Sequence, residues 1–287
     1  MSESMTVGVI GGSGLYQMEG LTDVSEEALS TPFGAPSDAY VTGRLGDVRM
    51  VFLPRHGRGH RIPPSAINFR ANIWGLKKLG VDRILSVSAV GSMREAIAPG
   101  DFVVIDQFID RTRHRDDTFF DADVVAHVMF ADPVCEPLRG VLVEAAREVG
   151  VKVHDGGTYL CMEGPQFSTR AESKLYRSWG VDVIGMTNLQ EAKLAREAEI
   201  SYATVAMATD YDCWHESHDD VTIDAILETM HHNVENARNL IRAAVPRLPR
   251  ELGCGCGQAL AHAIITDRDR IPPGARERLG LLIDKYL

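Results

Sequence analysis

The chain has little of what marks several classes of protein. Five cysteines among 287 residues are too few and too scattered for a disulfide scaffold. No apolar run approaches the ~18 residues that a transmembrane helix needs. The amino end, MSESMTV, lacks the basic and apolar regions of a signal peptide. The sequence therefore predicts a cytoplasmic protein without a membrane partner.

Positive charge is also scarce. The chain has 30 lysines and arginines against 40 acidic residues, which gives a net charge of −10. Such a surface repels the phosphates of a nucleic acid, and no dense Lys/Arg cluster offsets the repulsion. Nucleic acid is therefore not expected as a partner.

The cysteines fall into two groups. Cys135, Cys161 and Cys213 have apolar neighbours in the sequence and are expected to be reduced core residues. Cys254 and Cys256 lie in GCGCG, which fits a flexible turn or, alternatively, a redox clip with a strained C-x-C ring. Two ligands alone do not make a structural zinc site, so no metal is expected.

Apolar β-rich runs alternate with helical patterns along the chain. TVGVI at 6–10 and SYATVAM at 201–207 are among the runs, and helical patterns occur at 65–79 and 273–286. This alternation predicts an α/β fold: a single domain over 1–287 with a mixed, largely parallel central sheet flanked by helices. A helical carboxyl-terminal extension is expected from about residue 247.

Two pairs of residues have the spacing of helix-start caps. Thr169 with Glu172 and Asn188 with Glu191 each place an acidic side chain three residues after a capping side chain. Each pair predicts the first turn of a helix.

The first strand ends in a glycine-rich turn, GGSG at 11–14. The turn does not fit a dinucleotide fold, because Gln17 stands where the third glycine is expected, and it lacks the Gly-Lys-Ser/Thr of a Walker loop. What remains is a short nest of backbone N–H groups with the Ser13 hydroxyl, which suits a small anion. An ordinary strand-end turn is the alternative.

Polar groups follow two further strands. In the loop RHGRGHR at 55–61, the planar fork of Arg55 can hold two phosphate oxygens, and His56 can add a hydrogen bond. Ser88 and Ala89 supply small, donor-rich groups at another strand end. The three strand ends predict a cage for inorganic phosphate, whereas a solvated basic loop is the alternative for 55–61.

Two carboxylates, Asp210 and Asp212, follow the apolar run at 201–207. Alternate residues of an extended chain point the same way, so both can face one ligand. Proximity and burial raise the pKa of such a pair, which suits a general acid. Alternatively, one caps a turn and the other is solvated. Phe167 and Met186 precede helices and can stack on a flat ring and a sugar, although core packing also explains them.

Longer blocks of the sequence resemble one family. The blocks are GVIGGSGL, PRHGRGHRIPPSAINFRANIWGLK, GSMREAIAPGDFVVIDQFIDRT, EGPQFSTRAES and MATDYDCWHE. They resemble the trimeric purine nucleoside phosphorylase family, and within it the enzymes that act on 5′-methylthioadenosine. The resemblance runs to about residue 245. It implies a homotrimeric transferase that cleaves this nucleoside with inorganic phosphate as co-substrate and no cofactor.

The resemblance also assigns roles by matching position. The phosphate-binding set is Ser13, Arg55, His56, Ser88, Ala89 and Thr187. The substrate-binding set is Met186, Asp210, Asp212, Phe167, His60 and His127, with His127 supplied across a subunit boundary. Ser168 and Ile223 match positions that tune specificity, and Gly185 replaces an Asn of some relatives.

The carboxylates also bear on which base is bound. Adenine presents a 6-amino donor that a carboxylate accepts, whereas a 6-oxo purine presents a lone pair that two ionised acceptors would repel. Asp210 is our choice for the group that delivers a proton to N7 of the leaving purine. The alternatives are a phosphorylase of 6-oxopurine nucleosides or methylthioinosine, a dinucleotide-dependent oxidoreductase, and a nucleotide-sensing module that binds without turnover.

Overall fold

The computed structural model describes residues 5–12, 14–215 and 223–287, and for 223–228 it describes the backbone alone. The strands are β1 (Thr6–Gly11), β2 (Leu21–Glu27), β3 (Tyr40–Leu45), β4 (Val48–Pro54), β5 (Arg83–Ser92), β6 (Phe102–Val104), β7 (Gln107–Arg111), β8 (Val153–Asp155), β9 (Thr158–Met162), β10 (Val183–Gly185) and β11 (Ser201–Tyr211). The α-helices are α1 (Phe69–Lys78), α2 (Glu136–Glu148), α3 (Arg170–Ser178), α4 (Asn188–Glu197), α5 (Ile223–Ala244) and α6 (Pro273–Ile283).

All the described strands join one mixed sheet. Its main path runs β2-β3-β4-β1-β5-β10-β9-β7, and β11 pairs with β5 and β6 while β8 pairs with β6. β1 is parallel to β4 and β5, β5 is parallel to β11, and β9 is parallel to β7 and β10. The antiparallel pairs lie mainly toward the margins. The expected mixed, largely parallel sheet is confirmed.

Successive residues of the central strands point to opposite faces of the sheet, and both sets of residues are apolar. Helices therefore cover both faces. Val9 and Phe52 share an apolar cluster with α2 and α5. Ile10 and Leu53, the next residues along each strand, share another with α1, α4 and α6. The long apolar runs at 6–10 and 201–207 are therefore strands buried on both faces.

The structure corrects two details of the helix predictions. α1 begins at Phe69 rather than 65, because Pro64–Ala66 form a separate 3₁₀ turn and the Asn68 side chain caps α1 by accepting from the N–H of Ala71. Thr169 and Glu172 form the expected capping box of α3. Asn188 is not a cap, since it is the first residue of α4 and its side chain points into the core.

The carboxyl-terminal segment packs against the same layers. α6 places Leu279 and Leu282 in the apolar cluster that also contains α1 and α4. Among the helices that the structure describes, none combines the length and the apolar character needed to cross a bilayer.

Candidate active site

The carboxyl ends of four neighbouring strands meet at one edge of the sheet. Gly11 of β1 lies opposite Pro54 of β4, and β11 aligns Met207 with Ala89 of β5. Because neighbouring strands are ~4.8 Å apart, the glycine turn, the 55–61 loop and residues 88–89 fall within a small area. Parallel pairing thus brings together the three strand ends expected to form the anion cage.

A cavity of about 560 Å³ opens at this edge. Such a volume suits a small organic ligand. Its lining comprises Gly11, Gly12, Gly14, Pro54, His56, Gly57, His60, Met230, His231, Val234, Glu235 and Arg238. The glycine turn, the basic loop and α5 therefore share one cavity. Ser13 and the side chain of Ile223 lie outside the described residues.

Arg55 is buried behind the strand ends rather than open to a ligand. Its guanidinium donates through Nε and Nη2 to the two carboxylate oxygens of Glu191, and through Nη2 to the Ser86 hydroxyl at 2.7 Å. Nη1 donates to the Val87 carbonyl at 3.1 Å. The expectation of a free fork for two phosphate oxygens is wrong for this structure, because Glu191 occupies that edge of the guanidinium.

A buried polar network surrounds the Arg55–Glu191 pair. The Tyr202 hydroxyl donates to Glu191 at 3.0 Å, and the Asn188 amide donates to Ser86 at 2.9 Å and Thr204 at 2.7 Å. Networks of this kind fix the positions of their members. This network therefore anchors the start of α4, which carries Thr187.

Thr187 lies at the N-cap of α4 and is buried, but its side chain makes no capping hydrogen bond. Its N–H lies 3.4 Å from the hydroxyl oxygen of Tyr159, a residue that the sequence analysis did not single out. A Cβ on Gly185 would lie 2.0 Å from that oxygen. Tyr159 therefore explains why glycine stands at 185, since no larger side chain fits beside its hydroxyl.

His56 faces the cavity as a neutral ring. Its Nδ1 lies 2.8 Å from the Ile62 carbonyl, and its ring stacks on His60 with centroids 4.2 Å apart. Burial, with the nearby Arg55 charge, lowers the pKa of His56 to about 4. Since a carbonyl only accepts, Nδ1 carries the proton and Nε2 is left as an acceptor.

The 55–61 loop turns at Gly57, which has a φ of 70°. A Cβ there would also lie 3.0 Å from the Ser37 carbonyl oxygen, so the turn requires glycine. Arg58 points outward, where Glu26 and Asp38 pair with it. The reading of the whole loop as a solvated basic segment is wrong for Arg55 and His56 and holds for Arg58.

Asp210 and Asp212 lie side by side at the end of β11. A Cβ on Gly91 would be 3.7 Å from Asp210 Oδ2 and 3.5 Å from Asp212 Cβ, so both aspartates contact the same glycine. The strand register shifts between Ala208 and Asp210, which carries the chain across β5 at this point. The two aspartates therefore lie close together, and the common orientation of their carboxylates stays a prediction.

Asp212 is buried, and Asp210 is half-buried. Burial raises the pKa of each, and the charge of Asp212 adds to the shift at Asp210. The Thr209 hydroxyl donates to Asp210 Oδ1 at 2.6 Å. Oδ2 of Asp212 is buried and makes no hydrogen bond of standard geometry with the described residues, although the Ser173 hydroxyl beside this carboxyl opposes the effect of burial on its pKa. The alternative of a solvated carboxylate is therefore wrong.

The segment expected to contact the base lies next to this pair. The Ser168 carbonyl accepts from the Cys213 thiol at 3.4 Å, and Arg170 donates to the Cys213 carbonyl at 2.7 Å. Phe167, the residue before Ser168, is 82% exposed. An exposed aromatic ring on the segment that contacts Cys213 is suited to stack on a planar ligand.

The remaining predicted positions divide between the site and the surface. Met186 places its sulfur against Gly164, and its carbonyl accepts from Arg115. Ser88 is buried and Ala89 is exposed within β5, which continues to Ser92 rather than ending there as the sequence predicts. His127 is exposed on another segment, and neither it nor Met186, Ser88 or Ala89 is among the described residues that line the cavity.

Comparison with known proteins defines the class. Residues 6–246 match the model of the phosphorylase superfamily, and the chain belongs to that family. The chain is 64% identical over 282 residues to the S-methyl-5′-thioadenosine phosphorylase of Geobacter sulfurreducens, which covers 98% of this chain and 99% of that protein.

Solved structures agree with the sequence comparison. A methylthioadenosine phosphorylase from an Antarctic soil metagenomic library is 45% identical and superposes with a TM-score of 0.94, covering 98% of this chain and 99% of that one. A methylthioadenosine phosphorylase of Schistosoma mansoni in complex with adenine is 37% identical, with a TM-score of 0.82 and 98% of both chains covered.

Proposed function

We propose that the protein catalyses the phosphorolysis of S-methyl-5′-thioadenosine to adenine and 5-methylthioribose 1-phosphate. The observation that carries the proposal is the pair of aspartates beside Gly91, at the same sheet edge as a glycine- and histidine-lined cavity. The names of the Geobacter and Antarctic relatives support the same substrate. Inorganic phosphate is the co-substrate, and no cofactor or metal takes part in the reaction.

The reaction exchanges one bond at the anomeric carbon for another. A phosphate oxygen attacks C1′ while the C1′–N9 bond breaks and its electron pair passes to the purine. Asp210 transfers a proton to N7, so that adenine leaves as a neutral base. Its raised pKa keeps more of the acid form available at neutral pH, as a general acid requires.

The phosphate lies against the strand ends. Ser88 and Thr187 donate hydroxyl hydrogen bonds to it, the backbone at Ala89 faces it, and His56 accepts a hydrogen bond at Nε2 from its protonated oxygen. Arg55 acts from behind by fixing the strand ends through Ser86 and Val87. Ser13 belongs to the same phosphate site in this proposal.

The nucleoside occupies the adjoining space. Phe167 stacks on the purine, Met186 lies under the ribose, and Ser168 and Ile223 tune specificity. Asp212 accepts a hydrogen bond from the amino edge of adenine, which gives its buried Oδ2 a partner. A 6-oxo purine offers an acceptor there, and discrimination against such analogues reaches about 10⁴. His60 lies at the mouth of the 5′ pocket.

A direct assay tests the proposal. Adenine release from methylthioadenosine is measured with and without phosphate, in parallel with methylthioinosine. We expect release that requires phosphate and a strong preference for the adenine nucleoside. A preference for methylthioinosine would favour the 6-oxopurine alternative, and binding without phosphate-dependent turnover would favour the sensing module.

We further propose a homotrimer in the cytoplasm. His127 lies on a segment whose neighbours Val125 and Met129 are exposed, and Ile265 beside them is also exposed. An apolar strip of this kind suits contact with a second copy that receives His127 in its substrate site. The free cysteines support a reducing compartment. Light scattering of the purified chain tests the trimer.

A further inference from the structure

Three cysteines from distant parts of the chain meet at the amino end of β11. The sulfur atoms of Cys135, Cys254 and Cys256 all lie within 4.8 Å of one another. The Cys135 and Cys254 sulfurs are 3.5 Å apart, and all three cysteines are free. We call this group the trithiol cluster. The flexible turn expected for GCGCG is thus packed against a third sulfur.

Rigid elements hold the cluster in place. The N–H of Cys135 donates to the Tyr202 carbonyl at 2.8 Å, directly before α2 begins. Cys256 is buried in the 3₁₀ turn Gly255–Gln258, and the Cys254 sulfur lies 3.4 Å from the Ser201 hydroxyl oxygen. The sulfurs therefore converge because the carboxyl-terminal segment packs on α2 and β11.

We propose that the trithiol cluster binds one thiophilic metal ion, Zn²⁺ or Cu⁺, through all three sulfurs. Sulfur ligands at ~2.3 Å from a common tetrahedral zinc lie roughly 3.8 Å apart, within the separation observed here. Thiolates select Zn²⁺ and Cu⁺ among biological cations. Three sulfurs complete a trigonal Cu⁺ site, whereas Zn²⁺ takes a water as its fourth ligand.

The electrostatics of the cluster agree with this geometry. Hydrogen bonding from the Cys135 thiol lowers the pKa of Cys256 to about 5, and the Arg196 guanidinium adds to the shift. Cysteine binds a metal ion as the thiolate, so the thiol protons leave as the metal enters.

The site is independent of the proposed reaction. Ser201 and Asp210 lie at opposite ends of β11, and nine residues of strand at ~3.3 Å each separate them by about 30 Å. The ion would connect the carboxyl-terminal segment to the core without contacting a substrate. The expectation of no metal rested on a two-cysteine motif, and Cys135 adds the third ligand.

The test is a metal titration of the whole reduced protein under anaerobic conditions. We expect one equivalent of Co²⁺ to give thiolate-to-cobalt charge-transfer absorption that Zn²⁺ abolishes, and a separate Cu⁺ titration to identify the preferred ion. Cys135→Ser and Cys254→Ser each lower the affinity at least tenfold. Cys161→Ser, which removes a buried cysteine outside the cluster, leaves it unchanged.

Stability measurements guard against a folding defect. Cys254 is only half-buried, so Cys254→Ser is expected to fold and to retain phosphorolysis. Metal addition should raise the Tm of the unsubstituted protein but not the Tm of Cys254→Ser. Failure of the reduced parent to bind Co²⁺, Zn²⁺ or Cu⁺ stoichiometrically would overturn the proposal. A Cys135–Cys254 disulfide in the isolated protein, with no metal uptake after reduction, would assign the cluster a redox role instead.

Discussion

Two buried acidic side chains at the same edge of the sheet have opposite surroundings. Glu191 receives hydrogen bonds from Arg55, Ser86 and Tyr202. Asp212 has a buried oxygen that makes no hydrogen bond of standard geometry with the described residues, the Ser173 hydroxyl lies beside the carboxyl, and burial raises its pKa. A buried carboxylate that is fully paired holds the framework, whereas one left without a partner is suited to a donor that arrives with a ligand.

The phosphate side and the base side of the proposed site differ in the same way, in whether their charged groups are paired within the protein. On the phosphate side, the Arg55 guanidinium is neutralised by Glu191, and its role is to fix the strand ends. On the base side, Asp210 and Asp212 both lie beside Gly91, and neither forms an ion pair with a described residue. Replacing Arg55 or Glu191 should therefore affect folding, whereas replacing Asp210 or Asp212 should affect turnover.

The largest effect is expected from Glu191→Gln. This change leaves the Arg55 charge buried without its counterion, and breaking a buried pair in this way costs about 3–5 kcal/mol. We expect the free energy of unfolding, measured by urea denaturation, to fall by that amount.

The matched control is Glu19→Gln. Glu19 pairs with Arg242 at 2.8 Å, but its side chain is 90% exposed, and such surface pairs contribute little. If Glu191→Gln were as stable as Glu19→Gln, the assignment of Glu191 to the framework would be wrong.

Asp210→Asn should show the reverse pattern. The amide cannot donate an acidic proton to N7, so kcat should fall by about 10² or more. Stability should change little, because the variant removes a buried charge rather than stranding one. Steady-state kinetics and urea denaturation of the same preparation provide both readouts. Near-normal kcat would remove Asp210 from the role of general acid.

The strand ends could be predicted from the sequence because their evidence is local. Apolar runs that are buried on both faces identify parallel strands, and parallel strands bring their carboxyl ends to one edge. That reasoning predicts that Gly11, His56 and Ala89 lie near one another, and the observed pairing of β1 with both β4 and β5 is consistent with it. It also placed Asp210 and Asp212 on one side of the chain.

The partners of these residues could not be predicted, because they lie far away along the chain. Arg55 and Glu191 are 136 positions apart, and Cys135 and Cys254 are 119 apart. Glu191 was assigned to a capping pair on local spacing, but the helix begins one residue earlier than that reading needs. Only the packing of α4 against β5 shows that its first turn faces the core.

The polar strands at the margin were missed for a related reason. β2, LTDVSEE, is exposed along most of its length and pairs only with β3. Without an apolar face, such a strand lacks the alternation of apolar and polar residues from which a strand is predicted. Edge strands of this kind are defined by their hydrogen bonds to a neighbour.

The smallest effect is expected on the pKa of His56, because phosphate binding and protonation of its ring should be coupled. The pKa of His56 in the folded protein, about 4, lies below the ordinary value of 6.5. The folded chain therefore binds fewer protons there than the unfolded chain, and the stability contributed above 6.5 is lost as pH falls through 4. A phosphate at Nε2 favours the protonated ring, so phosphate binding should raise the pKa of His56 and weaken the dependence of stability on pH.

Imidazole chemical shifts recorded against pH, with and without phosphate, measure the change in the pKa of His56. His56→Gln provides the control for the dependence of stability on pH. If phosphate left the His56 titration unmoved, the imidazole would not contact the anion, and the phosphate side would depend on hydroxyl and backbone donors alone.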